Sequence, residues 1–204
     1  MTNFVKINKE EYKELLNKTL FKTFFHDLAW HEFLEKEFKW LKFEHYLYKN
    51  EFLLSFGRVG DKLISLPFCE YGGPLSLKEN VDFREFEKDV LEEFKKIKIK
   101  FHPAIVSRES DTVTYFIDNF DKLSFRKTLR HSIRDAQQRN ILVKKCVSTK
   151  ELERFYNLYV VNLRKKKTVP YPYSVIRFLY DNANSELLLA WHKDKIIAGS
   201  LFLH

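Results

Sequence analysis

Asn8-Lys9-Glu10-Glu11 and Ser148-Thr149-Lys150-Glu151 carry the same helix-start signature, 140 positions apart in a chain of 204 residues. A small polar side chain followed three residues later by a carboxylate can satisfy the free N–H groups at both ends of a helix's first turn. Each signature follows a short apolar run, Phe4–Ile7 or Ile141–Val147, and each is followed by the same succession of patterns. The first helix has Tyr12, Leu15, Leu16 and Leu20 on one face, and a second runs from about Phe24 to Phe38. Lys42–Tyr48, Glu51–Arg58 and Lys62–Cys69 then read as strands, joined by tight turns at Lys49-Asn50 and Gly60-Asp61. After the break at Tyr71-Gly72-Gly73-Pro74 come a helix capped by Asn80 and reaching about Ile97, and strands at Ile99–Val106 and Thr112–Asp118. A helix at about Lys122–Arg139, closed by Asn140, leads into the second succession. This comprises a strand, a capped helix to about Lys165, an interruption at Pro170-Tyr171-Pro172-Tyr173, and a helix over Ser174–Tyr180. A hairpin around Lys193-Asp194 follows. The expected class is α+β, built twice: a complete first copy in 1–120, a connecting basic helix in 121–140, and a second copy in 141–204 that stops after its third strand. Coincidence of common elements in one α+β domain is the alternative.

Composition excludes several classes. With 45% hydrophobic and 31% charged residues the chain can build a core and is not disordered. No apolar run exceeds five residues, too short to span a bilayer. The first residues match neither a secretory nor a transit signal. Cys69 and Cys146 match no disulfide framework or zinc spacing, and both are expected as inert core thiols on strands. His26 and His31 lack the spacing of a helical zinc pair. A reducing, cytoplasmic setting is the expectation.

The formal net charge is +8, and its distribution is uneven. Residues 121–170 hold 14 Lys and Arg against Asp121, Asp135, Glu151 and Glu153, a balance of +10, so the other 154 residues carry −2. Such a field attracts phosphate-bearing partners: nucleic acid, nucleotides or anionic lipid head groups. A solvated basic face without a partner is the alternative. Within this stretch Arg126, Arg130 and Arg134 recur once per helical turn beside a stripe of Phe125, Leu129, Ile133 and Ala136. The stripe is expected to be buried, leaving the guanidinium forks at the border of core and solvent to bind phosphate or carboxylate bidentately. Ion pairing with Asp135 is the structural alternative. Arg164-Lys165-Lys166-Lys167 could bind phosphate, or merely favour a helix C-terminus. Tyr171 and Tyr173 could form an aromatic wall or pack half-buried. Gly72 and Gly73, after Tyr71, could admit a ligand close to the backbone or simply make a turn.

Several segments carry a family resemblance. Phe24-Phe25-His26 to Trp30 resembles the aromatic second helix of the FemABX family. Lys62-Leu63-Ile64-Ser65-Leu66-Pro67-Phe68 with Tyr71-Gly72-Gly73-Pro74 is similar to that family's central strand and following loop. Arg130-His131-Ser132-Ile133-Arg134-Asp135-Ala136 with Asn140-Ile141-Leu142-Val143 resembles its R-x-x-I-R-x-A…G-x-x-V segment, with Asn140 in place of glycine. Phe155-Tyr156-Asn157-Leu158 through Pro170, and Leu189-Ala190 with Ile197-Ala198-Gly199, fit the same pattern. The resemblance implies a tandem N-acyltransferase fold of the acetyltransferase (GNAT-like) type. It implies transfer of an aminoacyl or acyl group, from aminoacyl-tRNA or acyl-CoA, to an amine of a peptidoglycan-type cell-envelope precursor at the inner face of the membrane. The long helical-hairpin insertion of some members is absent.

Direct transfer needs a neutral amine, donors for the oxyanion and a positioned phosphate, and no covalent nucleophile. No Ser-His-Asp spacing, P-loop or Rossmann glycine pattern occurs. The catalytic base is unassigned; Glu70, Asp135 and Glu153 are candidates by location alone. The candidate substrate-binding set is Arg126, Arg130, Arg134, Tyr71, Gly72, Gly73, Arg164, Lys165 and Tyr171. The chain is expected to be the front part of a longer protein or to be completed by another chain, such as a homo-oligomer covering the open edge near Lys195–Leu203. Alone it is expected to transfer nothing. The alternative function is a non-catalytic module binding phosphate, RNA or anionic lipid on a degenerate acyltransferase fold.

Overall fold

The computed structural model describes residues 3–69, 72–79, 81, 83–99 and 126–203. The chain divides into two compact units, Met1–Tyr115 and Phe116–His204. The strands expected at Ile99–Val106 and Thr112–Asp118 lie outside the described residues, Ile99 apart, as do Glu70, Tyr71, Asn80 and Phe125.

The first unit runs β1 (Phe4–Ile7), α1 (Lys9–Leu16), a 3-10 turn (Phe24–His26), α2 (Leu28–Glu37), β2 (Leu41–Tyr48), β3 (Phe52–Val59), β4 (Lys62–Ser65), β5 (Leu75–Ser76), α3 (Phe83–Glu93) and β6 (Ile97–Lys98). The strands form one sheet in the order β1-β2-β3-β4-β6, with β5 also on β3. Neighbours are antiparallel except β4 and β6, which run parallel. The meander closes where the sequence places its turns. Lys49 and Asn50 both take left-handed φ, 47° and 54°, and Gly60 takes 59°. Strand β3 is buried from Phe52 to Gly57, and its alternation feeds two cores. Phe52, Leu54 and Phe56 pack with Phe4, Tyr48 and the α3 residues Phe86 and Val90. Leu53 points the other way, to Tyr12 and Leu16 of α1.

Three boundaries differ from the sequence expectation. Helix α1 stops at Leu16, and Leu20 is exposed. The second helix breaks at Asp27, which is extended (φ −72°, ψ 141°), because the His26 ring folds back to accept from the Thr23 N–H at 3.1 Å and closes a separate turn. Strand β4 ends at Ser65 because Leu66 and Phe68 take positive φ, 35° and 66°. Cys69 and Cys146 therefore lie just past strands rather than on them, and both are buried.

The second unit runs α4 (Lys127–Gln138), β7 (Ile141–Lys145), α5 (Thr149–Lys165), α6 (Tyr173–Asn182), β8 (Ser185–His192) and β9 (Lys195–Leu203). Its sheet is antiparallel in the order β7-β8-β9. The core joins Cys146, Leu152, Phe155, Ile176, Leu187 and Leu189. Gly199 is required by that core: a Cβ there would stand 2.6 Å from the Phe155 ring. Strand, capped helix, helix and antiparallel hairpin thus recur in both units, with β1-β2-β3 and β7-β8-β9 in the same order.

The two caps differ in detail. Asn8 Oδ1 accepts from the Glu11 N–H at 2.8 Å, and Glu11 reaches back to the Asn8 N–H at 2.9 Å. Ser148 Oγ accepts from the Glu151 N–H at 3.3 Å, but the Glu151 carboxylate takes the N–H of Val147, one residue earlier. No helix among the described residues is long and apolar enough to cross a membrane.

Candidate phosphate-binding surface

Helix α4 is where the basic stretch becomes a surface. Its 12 residues present an apolar stripe (Leu129, Ile133, Ala136) beside Arg130 and Arg134, and the N-cap residue Arg126 extends that row. The expectation that the stripe is buried fails. No residue of α4 is buried, and Leu129 and Ile133 remain 46% and 43% exposed. The reason is that the second unit closes its core without this helix, from α5, α6 and the sheet. The arginines are consequently exposed along their whole row rather than set at the rim of a core. Among the described residues none of the three forms an ion pair, and neither does Asp135.

The position of these cations is informative. A helix N-terminus carries partial positive charge and favours acids. Helix α4 has Arg126 as its N-cap residue, Lys127 in its first turn and no acid there. The helix itself gains nothing from cations at that end, so their presence is not explained by local stability. The opposite holds for Arg164 and Lys165, which occupy the last turn of α5 where the dipole favours them. Lys167 (φ 56°) then terminates the helix, with the Thr168 N–H returning to Leu163 O at 2.9 Å. Lys165 also lines a groove of about 610 Å³ between α5 and β9, whose floor includes Phe155, Gly199 and Leu201.

The remaining candidates fall into structural settings. Tyr171 is held through its backbone: its N–H donates to Tyr159 Oη and its carbonyl accepts from Tyr156 Oη, both at 3.1 Å. Tyr156, Tyr159 and Tyr173 thus form the aromatic wall, with Tyr156 and Tyr173 packed edge to face at 5.2 Å. The sequence pointed to Tyr171 and Tyr173 and missed Tyr156 and Tyr159, the two α5 tyrosines that hold the Tyr171 backbone. Gly72 and Gly73 are buried, and Leu66 fills the space beside Gly72, where a side chain on that residue would meet its Cβ. The close approach there is to the chain's own core. Asp135 and Glu153 are exposed.

A polar cluster of the first unit was not foreseen. His45 stacks on Tyr12 at 4.1 Å, and His31 stacks on Phe43 at 4.2 Å. Ser55 Oγ lies 3.1 Å from His45 Nδ1, His31 Nε2 donates to Phe25 O at 3.0 Å, and Tyr12 Oη donates to His26 O at 2.9 Å. Burial, with mutual repulsion among the histidines, drives His31 well below the usual histidine range. Burial and the nearby Lys9 lower His45 to about 4. Both are at most 3% exposed, so no substrate reaches them. Among the described residues no group of three or more His, Cys, Asp or Glu side chains could hold a metal ion. The available signal was the in-facing position of His45 on β2, in register with Leu41 and Phe43.

Compared with known proteins, the chain matches no protein-family model and no curated protein.

Proposed function

We propose that this chain belongs to a FemABX-like transferase of tandem GNAT-like architecture, moving an aminoacyl or acyl group to an amine of a phosphate-bearing cell-envelope precursor. The observation that carries this reading is the recurrence of strand, capped helix, helix and antiparallel hairpin in both units, with the same strand order each time. One ancestral acyltransferase half used twice accounts for it. The sequence segments that resemble FemABX support the reading, and the arginine row supplies forks suited to phosphate. Aminoacyl-tRNA or acyl-CoA is the donor.

The exposure of α4 also favours a second reading, a phosphate-binding module without catalysis, since a row open to solvent serves binding as well as transfer. A titration of the purified chain with a pyrophosphate-linked peptide carrying a free amine tests the first reading. The expected outcome is saturable binding that Arg130→Lys weakens about tenfold with an unchanged melting temperature, because lysine keeps the charge and loses the fork. Label passing from donor to peptide amine identifies the transferase. Equal affinity for pyrophosphate without the peptide identifies the module. Failure of the chain to bind either ligand overturns both.

A further inference from the structure

Helix α4 combines two features that solvent alone does not reconcile. Leu129 and Ile133 stand nearly half exposed on one stripe, and Arg126, Arg130 and Arg134 flank it along one side. From Arg126 to Arg139 the segment holds five cations (126, 127, 130, 134 and 139) against the single acid Asp135. Through the left-handed turn at Asn140 (φ 55°) it continues into β7, which again exposes Leu142 and Val143 beside Lys144. What sets α4 apart is the alignment of its exposed apolar side chains on one helix face, with the guanidinium groups along the border of that face.

We infer that α4 is an interfacial helix that docks the second unit on an anionic lipid surface. The apolar stripe enters the acyl boundary, and the arginines lie at the level of the lipid phosphates. The charge is complementary to that surface, and the ordering of apolar stripe and flanking cations matches the gradient from hydrocarbon to head group. RNA would be served by the arginines but gives Leu129 and Ile133 nothing to enter. This inference stands apart from the acyl-transfer reading, since vesicle binding without transfer leaves it intact.

Co-sedimentation of the whole chain with phosphatidylcholine vesicles containing about one-third phosphatidylglycerol tests it. Binding is expected to be at least about tenfold weaker on phosphatidylcholine alone and to weaken as salt is raised. The double variant Leu129→Glu/Ile133→Glu and the double variant Arg130→Ala/Arg134→Ala are each expected to weaken binding about tenfold or more. Both alter exposed residues, so the circular dichroism spectrum and melting temperature should remain those of the parent. No binding to the anionic vesicles overturns the inference. So does binding that the Leu129/Ile133 variant leaves unchanged, which marks simple electrostatic attraction. Preferential capture of tRNA over vesicles at equal phosphate concentration, indifferent to the same variant, also overturns it and assigns α4 to nucleic acid.

Discussion

His31 and His45 are the residues at which environment changes chemistry most. Both sit in the layer between β2 and the first two helices, facing Tyr12, Phe43 and Ser55, with Lys9, His26 and Glu35 as the charged or titratable neighbours. Both favour the neutral form in the folded chain, because burial of a charged ring outweighs the attraction that Glu35 offers His45. The unfolded chain protonates them below about 6.5. It therefore binds more protons than the folded chain between about 6.5 and the folded value of His45, about 4, and stability falls as pH drops through that window. Glu44 acts lower. The Arg58 fork, at 2.7 and 2.8 Å, holds its carboxyl at about 2, so its contribution is complete above about 4.5 and is lost below it. Urea midpoints measured from pH 7 to pH 4 should decline, and His45→Gln should flatten the decline. A midpoint that is level across this range would show that the histidines charge without unfolding.

At the level of elements, the two capped helices offer a controlled comparison. Asn8 makes a short bond in a reciprocal box, whereas Ser148 makes a longer one and its Glu151 partner serves the preceding residue. Asn8→Ala should therefore cost the first unit about 1–2 kcal/mol, and Ser148→Ala the second unit about 0.5–1 kcal/mol, in chemical denaturation. The reverse order would mean that distance does not rank these caps. Both caps were legible in the sequence because capping is local chemistry, set by residues three apart. The turns at Lys49-Asn50, Gly60 and Lys193 were legible for the same reason. The break at Asp27 was not, because the aromatic spacing from Phe24 to Phe38 continues through it while a His26-to-Thr23 contact interrupts the backbone. The apolar stripe of α4 was legible as a stripe, but its burial was not. Periodicity says which residues share a face; only the packing of other elements decides whether that face is covered. Gly72 was read as a place where a ligand could approach the backbone or as a turn; Leu66 of the chain itself fills the space beside it, a neighbour invisible until the chain folded back.

For the whole molecule, the two units differ in how much they bury. Among the described residues, 18 of the buried hydrophobic side chains belong to the first unit and eight to the second. Stability scales with such burial, at roughly 25 cal/mol per Å² of apolar surface, so the second unit should unfold at lower urea than the first. Trp191 reports on the second, and Trp30 with Trp40 on the first. Two tryptophan transitions are expected, of which the later one moves with acid, since among the described residues the buried histidines belong to the first unit. A single coincident transition at every pH would show that the units unfold as one. Strand β9 adds a further consequence. It pairs with β8 along one side, and among the described residues no strand pairs with its other side. Successive amide protons of one strand therefore live in two different worlds, one locked in a ladder and the next turned to solvent. Their exchange with deuterium should alternate between slow and fast along Ala198–Leu203, past the bulge at Ile197, a two-residue rhythm that any strand laid against that edge would silence.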